Sequence, residues 1–139
     1  MKQWIHRTLT PLVVAITWTA TEAIVAQTIA ISSTSEAVQL TGASGGPRKD
    51  PSCAGNIANS PNHVIQVADD SNLRFTLQAQ GKPALLIQSA SGQIFCVAAD
   101  SFSGGKVEIP GRWPQGVYQI FVGDRSNGQY PYTLVISPN

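Results

Sequence analysis

Charged residues are scarce in this sequence, at 12% of 139 positions, and histidine, cysteine and methionine number two, two and one. Each shortage removes a class of function. Past residue 26 the chain holds seven Lys/Arg and seven Asp/Glu, with no basic cluster, so it lacks the electrostatic footprint of a nucleic-acid or anionic-membrane binder. The longest uncharged stretch near the start, Thr8 to Thr21, covers 14 residues before Glu22, short of the about 20 that a spanning helix needs. Two cysteines 43 positions apart and a single histidine after residue 26 do not make a zinc or thiol-redox pattern. No Gly-x-Ser-x-Gly elbow is present, Ser44 in Gly42-Ala43-Ser44-Gly45 being a different motif. No amphipathic helix and no internal repeat interrupts the rest.

What is there begins with an export signal. Lys2 and Arg7 make a basic start, Leu9 to Ala20 an apolar run, and Thr21 to Ala26 a more polar end with a small residue. That order suits signal-peptidase cleavage after Ala26 and predicts a secreted or periplasmic protein. The 113 residues that follow suit one domain burying roughly two-thirds of its unfolded surface. In an exported chain, Cys53 and Cys96 are expected to form a disulfide.

The apolar residues past position 60 come in short, alternating runs. Leu73, Phe75 and Leu77 alternate with Arg74, Thr76 and Gln78, and Val107 and Ile109 flank Glu108. Further runs lie at Val64 to Val67, Ile94 to Val97, Val117 to Val122 and Tyr132 to Ile136, while Ala84-Leu85-Leu86-Ile87 is continuous and suits a strand covered on both faces. Turn chemistry recurs every 8 to 12 residues, at Asp69 to Asn72, Gly81 to Pro83, Ser103 to Gly105 and Ser126 to Gly128. With a further strand over Ala37 to Leu40, the pattern predicts an all-β, two-sheet antiparallel sandwich of about eight strands, jelly-roll-like. Residues 27–51, rich in Ser, Thr and Gly, read as a flexible lead-in holding at most one strand, with the sandwich proper over 52–139.

These runs resemble a known family. Leu73 to Leu77, the Gly81 turn and Ala84 to Ile87 are similar to the first half of the bacterial pre-peptidase C-terminal domain. Pro114-Gln115-Gly116-Val117-Tyr118, the Gly128 turn and Tyr132-Thr133-Leu134 are similar to its closing Pro-x-Gly-x-Tyr and Tyr-x-Leu strands. Small cyanobacterial secreted proteins carrying this domain alone, with paired cysteines, are the nearest in pattern. The resemblance implies a jelly-roll-like sandwich that serves exported proteins as a non-catalytic module. Such relatives carry an acidic pair after the second cysteine, where this chain has Asp100 alone.

Candidate sites follow from residue type. His63 with a serine and Asp69 or Asp70 would make a hydrolytic triad only if the fold gathered them. Asp69, Asp70, Asp100 and Asp124 supply loop oxygens of the kind calcium takes, at spacings that match no helix-loop-helix calcium loop; the same residues are ordinary turn formers. No cofactor is called for. Among the aromatics, Phe102, Trp113, Tyr130 and Tyr132 fall in or beside loops, and Tyr118 inside a strand. Trp113, with Arg112 beside it and Tyr130, forms the candidate binding set, facing a glycan or an exported protein. The competing role for Trp113 is to cap the core. The functional expectation is an exported, non-catalytic binding or accessory module. A structural or adhesive component of an extracellular layer stands second, a small secreted hydrolase third.

Overall fold

The computed structural model describes residues 13–18 and 27–139. Apart from 13–18, which are exposed and in no strand, the export signal read over 1–26 lies outside the described residues. Among the described residues there is no helix long and apolar enough to cross a membrane.

Among the described residues, eleven strands form two sheets. They are β1 (Thr28–Ile31), β2 (Val38–Ala43), β3 (Arg48–Lys49), β4 (Asn56–Ile57), β5 (His63–Val67), β6 (Ser71–Ala79), β7 (Pro83–Ser89), β8 (Ile94–Ala98), β9 (Lys106–Trp113), β10 (Gly116–Asp124) and β11 (Pro131–Pro138). One sheet runs β2-β11-β6-β9. The other centres on β10, which pairs β7 and then β8 on one side, and β5 and β4 on the other. Beyond β5 lies β1, the one parallel neighbour; β3 pairs β4.

The alternation read from the sequence is the alternation of burial. Along β6, Leu73, Phe75, Leu77 and Ala79 are buried, and they meet Tyr118, Ile120 and Val122 of β10 and Tyr132, Leu134 and Ile136 of β11 in one inter-sheet core. Each such large apolar side chain contributes roughly 1.5–3 kcal/mol by leaving water. The continuous run in β7 is covered on both faces, as expected. Leu85 and Ile87 point into the core, whereas Ala84 and Leu86 join Phe121, Ala54 and Ile57 in a second cluster outside the sheet. The lid over that cluster is the segment around β3 and β4. Cys53 and Cys96 are joined, Cα to Cα 5.8 Å, which ties the lid to β8 across 43 positions. Closing a loop of that length stabilises the fold by about 4 kcal/mol in the chain-entropy account. Arg48 lies over the Phe121 ring, 5.3 Å from its centroid. Gly123 makes the lid's approach possible, because a Cβ there would collide with the Ala54 carbonyl.

All eight expected strands are present. The lead-in is the correction: residues 27–51, read as flexible with possibly one strand over Ala37 to Leu40, carry β1, β2 and β3, so strand pairing begins at Thr28. Its Ser, Thr and Gly content resembles a linker, but Thr28, Ile29, Ile31, Val38 and Thr41 are β-branched and suit the pleat, and pairing to β5 and β11 decides the outcome. Two-residue strands such as β3 and β4 are too short to carry a period.

Candidate functional site

The two ends of the sandwich are built differently. At one end, the last residue of β10, Asp124, has its side chain fully buried among loops. Its Oδ1 accepts from the Ser126 amide (2.6 Å), the Ser126 hydroxyl (2.5 Å) and the Gly128 amide (3.2 Å), and its Oδ2 from the Lys82 amide (3.1 Å). Burial works against the carboxylate, but these donors outweigh it and hold Asp124 below the ordinary carboxyl value. One side chain thus fixes both the β6–β7 turn and the β10–β11 turn. Arg125 extends the tie: its amide donates to the Lys82 carbonyl (3.0 Å), and its guanidinium to the Ala99 carbonyl (2.8 Å) in the β8–β9 loop. Asn127, the one non-glycine residue with left-handed backbone among those described (φ 62°), accepts from the Asn56 side chain at 2.6 Å.

These three loops border an open groove of about 630 Å³ whose lining includes Gln80, Gly81, Lys82, Asp100, Ser101 and Arg125. Tyr130 stands next to it, half-buried, its ring resting on Gly81 and Gly128 so closely that neither glycine has room for a Cβ. Its backbone is held by buried Ser44, whose Oγ accepts from the Tyr130 amide (3.2 Å) and whose amide donates to the Tyr130 carbonyl (2.8 Å). Phe102, in the β8–β9 loop, is 95% exposed.

The opposite end is closed by packing. Trp113 ends β9 opposite Ser71 and is only 3% exposed. Its indole lies 4.8 Å from the Phe75 ring, 4.9 Å from Phe95 and 5.5 Å from Tyr118. The Tyr118 hydroxyl donates to the Pro114 carbonyl at 2.6 Å, and Asp70 accepts from the Gln115 amide at 2.8 Å. Arg112, exposed beside Trp113, pairs with Asp70 at 3.6 Å.

The expected binding set is therefore divided. Trp113 is a core residue and offers no surface to a ligand, which corrects its candidacy: its parity on β9 is that of Val107, which faces the core. Arg112 stays at that closed end, opposite Asn72, while Tyr130 lies at the loop end, past the Tyr132–Ala79 pair that stands seven residues or about 23 Å further along β6. The carboxylates are divided too. Asp69 and Asp70 sit at the closed end. Asp100 caps the Phe102 amide (2.9 Å), and the Asp124 oxygens are occupied by amide and hydroxyl donors. Among the described residues no three His, Cys, Asp or Glu side chains gather as a metal would need.

His63 has no serine or aspartate partner among the described residues. Its Nε2 lies 2.6 Å from the Tyr132 hydroxyl, joining β5 of one sheet to β11 of the other. Burial lowers the imidazole's pKa and pushes the phenol up to about 12, so at neutral pH both groups are uncharged and the phenol keeps its proton. Tyr132 faces Gly42 across the β2–β11 pair, where a side chain would meet its ring.

Comparison with known proteins places this geometry in context. The chain is 37% identical over 105 residues to an uncharacterized protein of Synechococcus elongatus, a match spanning 72% of this chain and 75% of that one. The chain belongs to the family of that cyanobacterial protein. No protein-family model matches it. Its fold is that of the pre-peptidase C-terminal domain: the domain from Bacillus anthracis collagenase superposes with a TM-score of 0.55 over 84% of this chain and 100% of its own, at 13% identity. A looser likeness, TM-score 0.44 at 15% identity, covers 83% of this chain and 100% of a periplasmic inhibitor of g-type lysozyme from Aeromonas hydrophila.

Within this family member, the groove residues Lys82 and Arg125 had no place in the sequence-based site. Their signal was present in Gly81-Lys82-Pro83 and Asp124-Arg125-Ser126-Asn127-Gly128, where a cation is embedded in each turn. Reading those stretches only as turns passed over the side chains they hold out.

Proposed function

We propose that this protein is an exported, non-catalytic module that binds an exported partner protein through its loop end. The observation that carries the reading is the groove between the β6–β7, β8–β9 and β10–β11 loops, where Lys82 and Arg125 flank a concavity whose backbone is fixed by Asp124. A pre-organised loop cluster loses little entropy on binding. Its two cations suit a carboxylate on the partner, and exposed Phe102 supplies an apolar anchor beside it.

Export is supported by the basic-apolar-small leader and by the disulfide, which belongs to an oxidising compartment. The non-catalytic reading is supported by His63, whose ring is engaged by Tyr132. A protein partner is favoured over a glycan because, of the rings near the groove, Phe102 alone is fully exposed, while the Trp and Tyr rings best suited to stacking on sugars are engaged. Trp113, Tyr118 and Tyr132 are buried, and Tyr130 lies against two glycines.

The test is affinity capture from the exported fraction of the producing cells. The wild-type protein is expected to retain a partner that Lys82→Glu loses and Arg112→Glu keeps, with all three melting alike. Equal capture by wild type and Lys82→Glu would remove the loop end from consideration.

A further inference from the structure

The outer rim of β8 is an unusual sheet edge. β8 pairs β7 alone. The Ser89 amide donates to the Gln93 carbonyl (2.8 Å) and the Ala99 amide to the Pro83 carbonyl (2.9 Å), so the odd-numbered residues of this strand bond to β7. The amides and carbonyls of Ile94, Cys96 and Ala98 consequently point away from the sheet, with no backbone partner among the described residues.

Edges of this kind are normally guarded by charge or proline. β9, at the edge of the other sheet, carries Lys106, Glu108, Pro110 and Arg112. β2 is uncharged but presents Gln39 and Thr41, and the Asn62 side chain reaches the Ala43 carbonyl. From Gln93 to Ala99 there is neither charge nor proline; β1, the far edge of the same sheet, shares that lack, but β8 adds exposed large apolar side chains. Of the four large apolar side chains exposed among residues 27–139, Ile94 (58%) and Val97 (39%) lie on β8 and Phe102 in the loop that leaves it.

We infer that two copies of this chain pair through this edge, β8 against β8, antiparallel about a two-fold axis at Cys96. The strand is self-complementary in that register. Ile94 faces Ala98, Cys96 faces Cys96 and Ala98 faces Ile94, so every outward amide and carbonyl of β8 meets its counterpart. No like charges are opposed, since Asp100 falls opposite Gly92. The disulfide does not obstruct the rim. Cys53 reaches Cys96 from the β10 side, where Ala54 lies over Gly123. A five-residue edge is smaller than the interface of a permanent dimer, so the association depends on concentration.

The experiment combines sedimentation velocity with amide hydrogen exchange on the disulfide-intact protein over a wide concentration range. The mass is expected to double with concentration, and exchange at Ile94, Cys96 and Ala98 to slow in parallel, while Phe95 and Val97 stay protected throughout. Ile94→Pro removes one outward amide without touching the β7 ladder, and Ile94→Lys places charge on the rim; both should abolish the doubling. Should the proline variant fail to fold, the lysine variant decides. A protein that stays monomeric at every concentration overturns the inference. So does a dimer that both variants leave intact or in which those three amides exchange unchanged.

Discussion

The two ends of this sandwich close by opposite means. At the Trp113 end, four aromatic rings pack together, and outside them lie an exposed Arg112–Asp70 pair and a smaller groove of about 410 Å³ between Ser89–Gln93 and Pro114–Tyr118. At the Asp124 end, one buried carboxylate gathers donors from two turns, and a polar groove remains between the loops. Packing closes one end through area and takes the Trp113 indole out of reach of a ligand. Hydrogen bonding closes the other through direction, and holds backbone rigid while leaving side chains free to meet a partner. The end closed by packing and the end we propose for recognition are thus separated by the length of β6.

Substitutions at each end sharpen that contrast. The largest effect is expected of Trp113→Ala, which empties the space between Phe75, Phe95 and Tyr118 and should cost roughly 3–5 kcal/mol in denaturant unfolding. A variant of near wild-type stability would mean that this end is not closed by packing.

Asp124→Asn keeps the shape but removes the charge that its donors require, and is expected to cost roughly 2 kcal/mol. Faster exchange should be confined to the Lys82, Ser126 and Gly128 amides. If exchange rose equally around Trp113, the two ends would not be independent.

The smallest effect concerns His63, which joins the sheets between the two ends. The unfolded imidazole takes a proton near 6.5, and burial lowers that value in the fold. Acidification below 6.5 therefore favours the unfolded chain, and stability should fall with pH until the lowered folded value is passed. His63→Gln should flatten this part of the melting-temperature profile. An unchanged slope would assign the pH dependence to other groups.

Much of this arrangement was legible in the sequence. Short apolar runs marked eight of the eleven strands described, and the unbroken run Ala84 to Ile87 marked the strand covered twice. β1, β3 and β4 were not legible: β1 lies in the Ser/Thr-rich stretch and is placed by its parallel pairing to β5, and the two residues of β3 or β4 hold no period. The site was legible only in part. Trp113 looked like a loop residue because of Gly111 and Pro114, yet strand parity continued from Val107 through Ile109 sends it inward and Arg112 outward. Parity likewise turns Asp124 toward the core side of Ile120 and Val122, where a carboxylate must find donors. Which loops converge on it depends on β6, β7 and β10 meeting at one end, a tertiary fact that no local pattern contains.

The measurement that bears most directly on the division of labour is site-specific photo-crosslinking in the producing cells. A photoreactive phenylalanine analogue in place of Phe102, beside the groove, is compared with the same residue in place of Arg112 at the closed end. The account predicts a discrete cross-linked adduct to an exported protein from position 102 and none from position 112. Adducts of equal yield from both positions, or an adduct from position 112 alone, would contradict it.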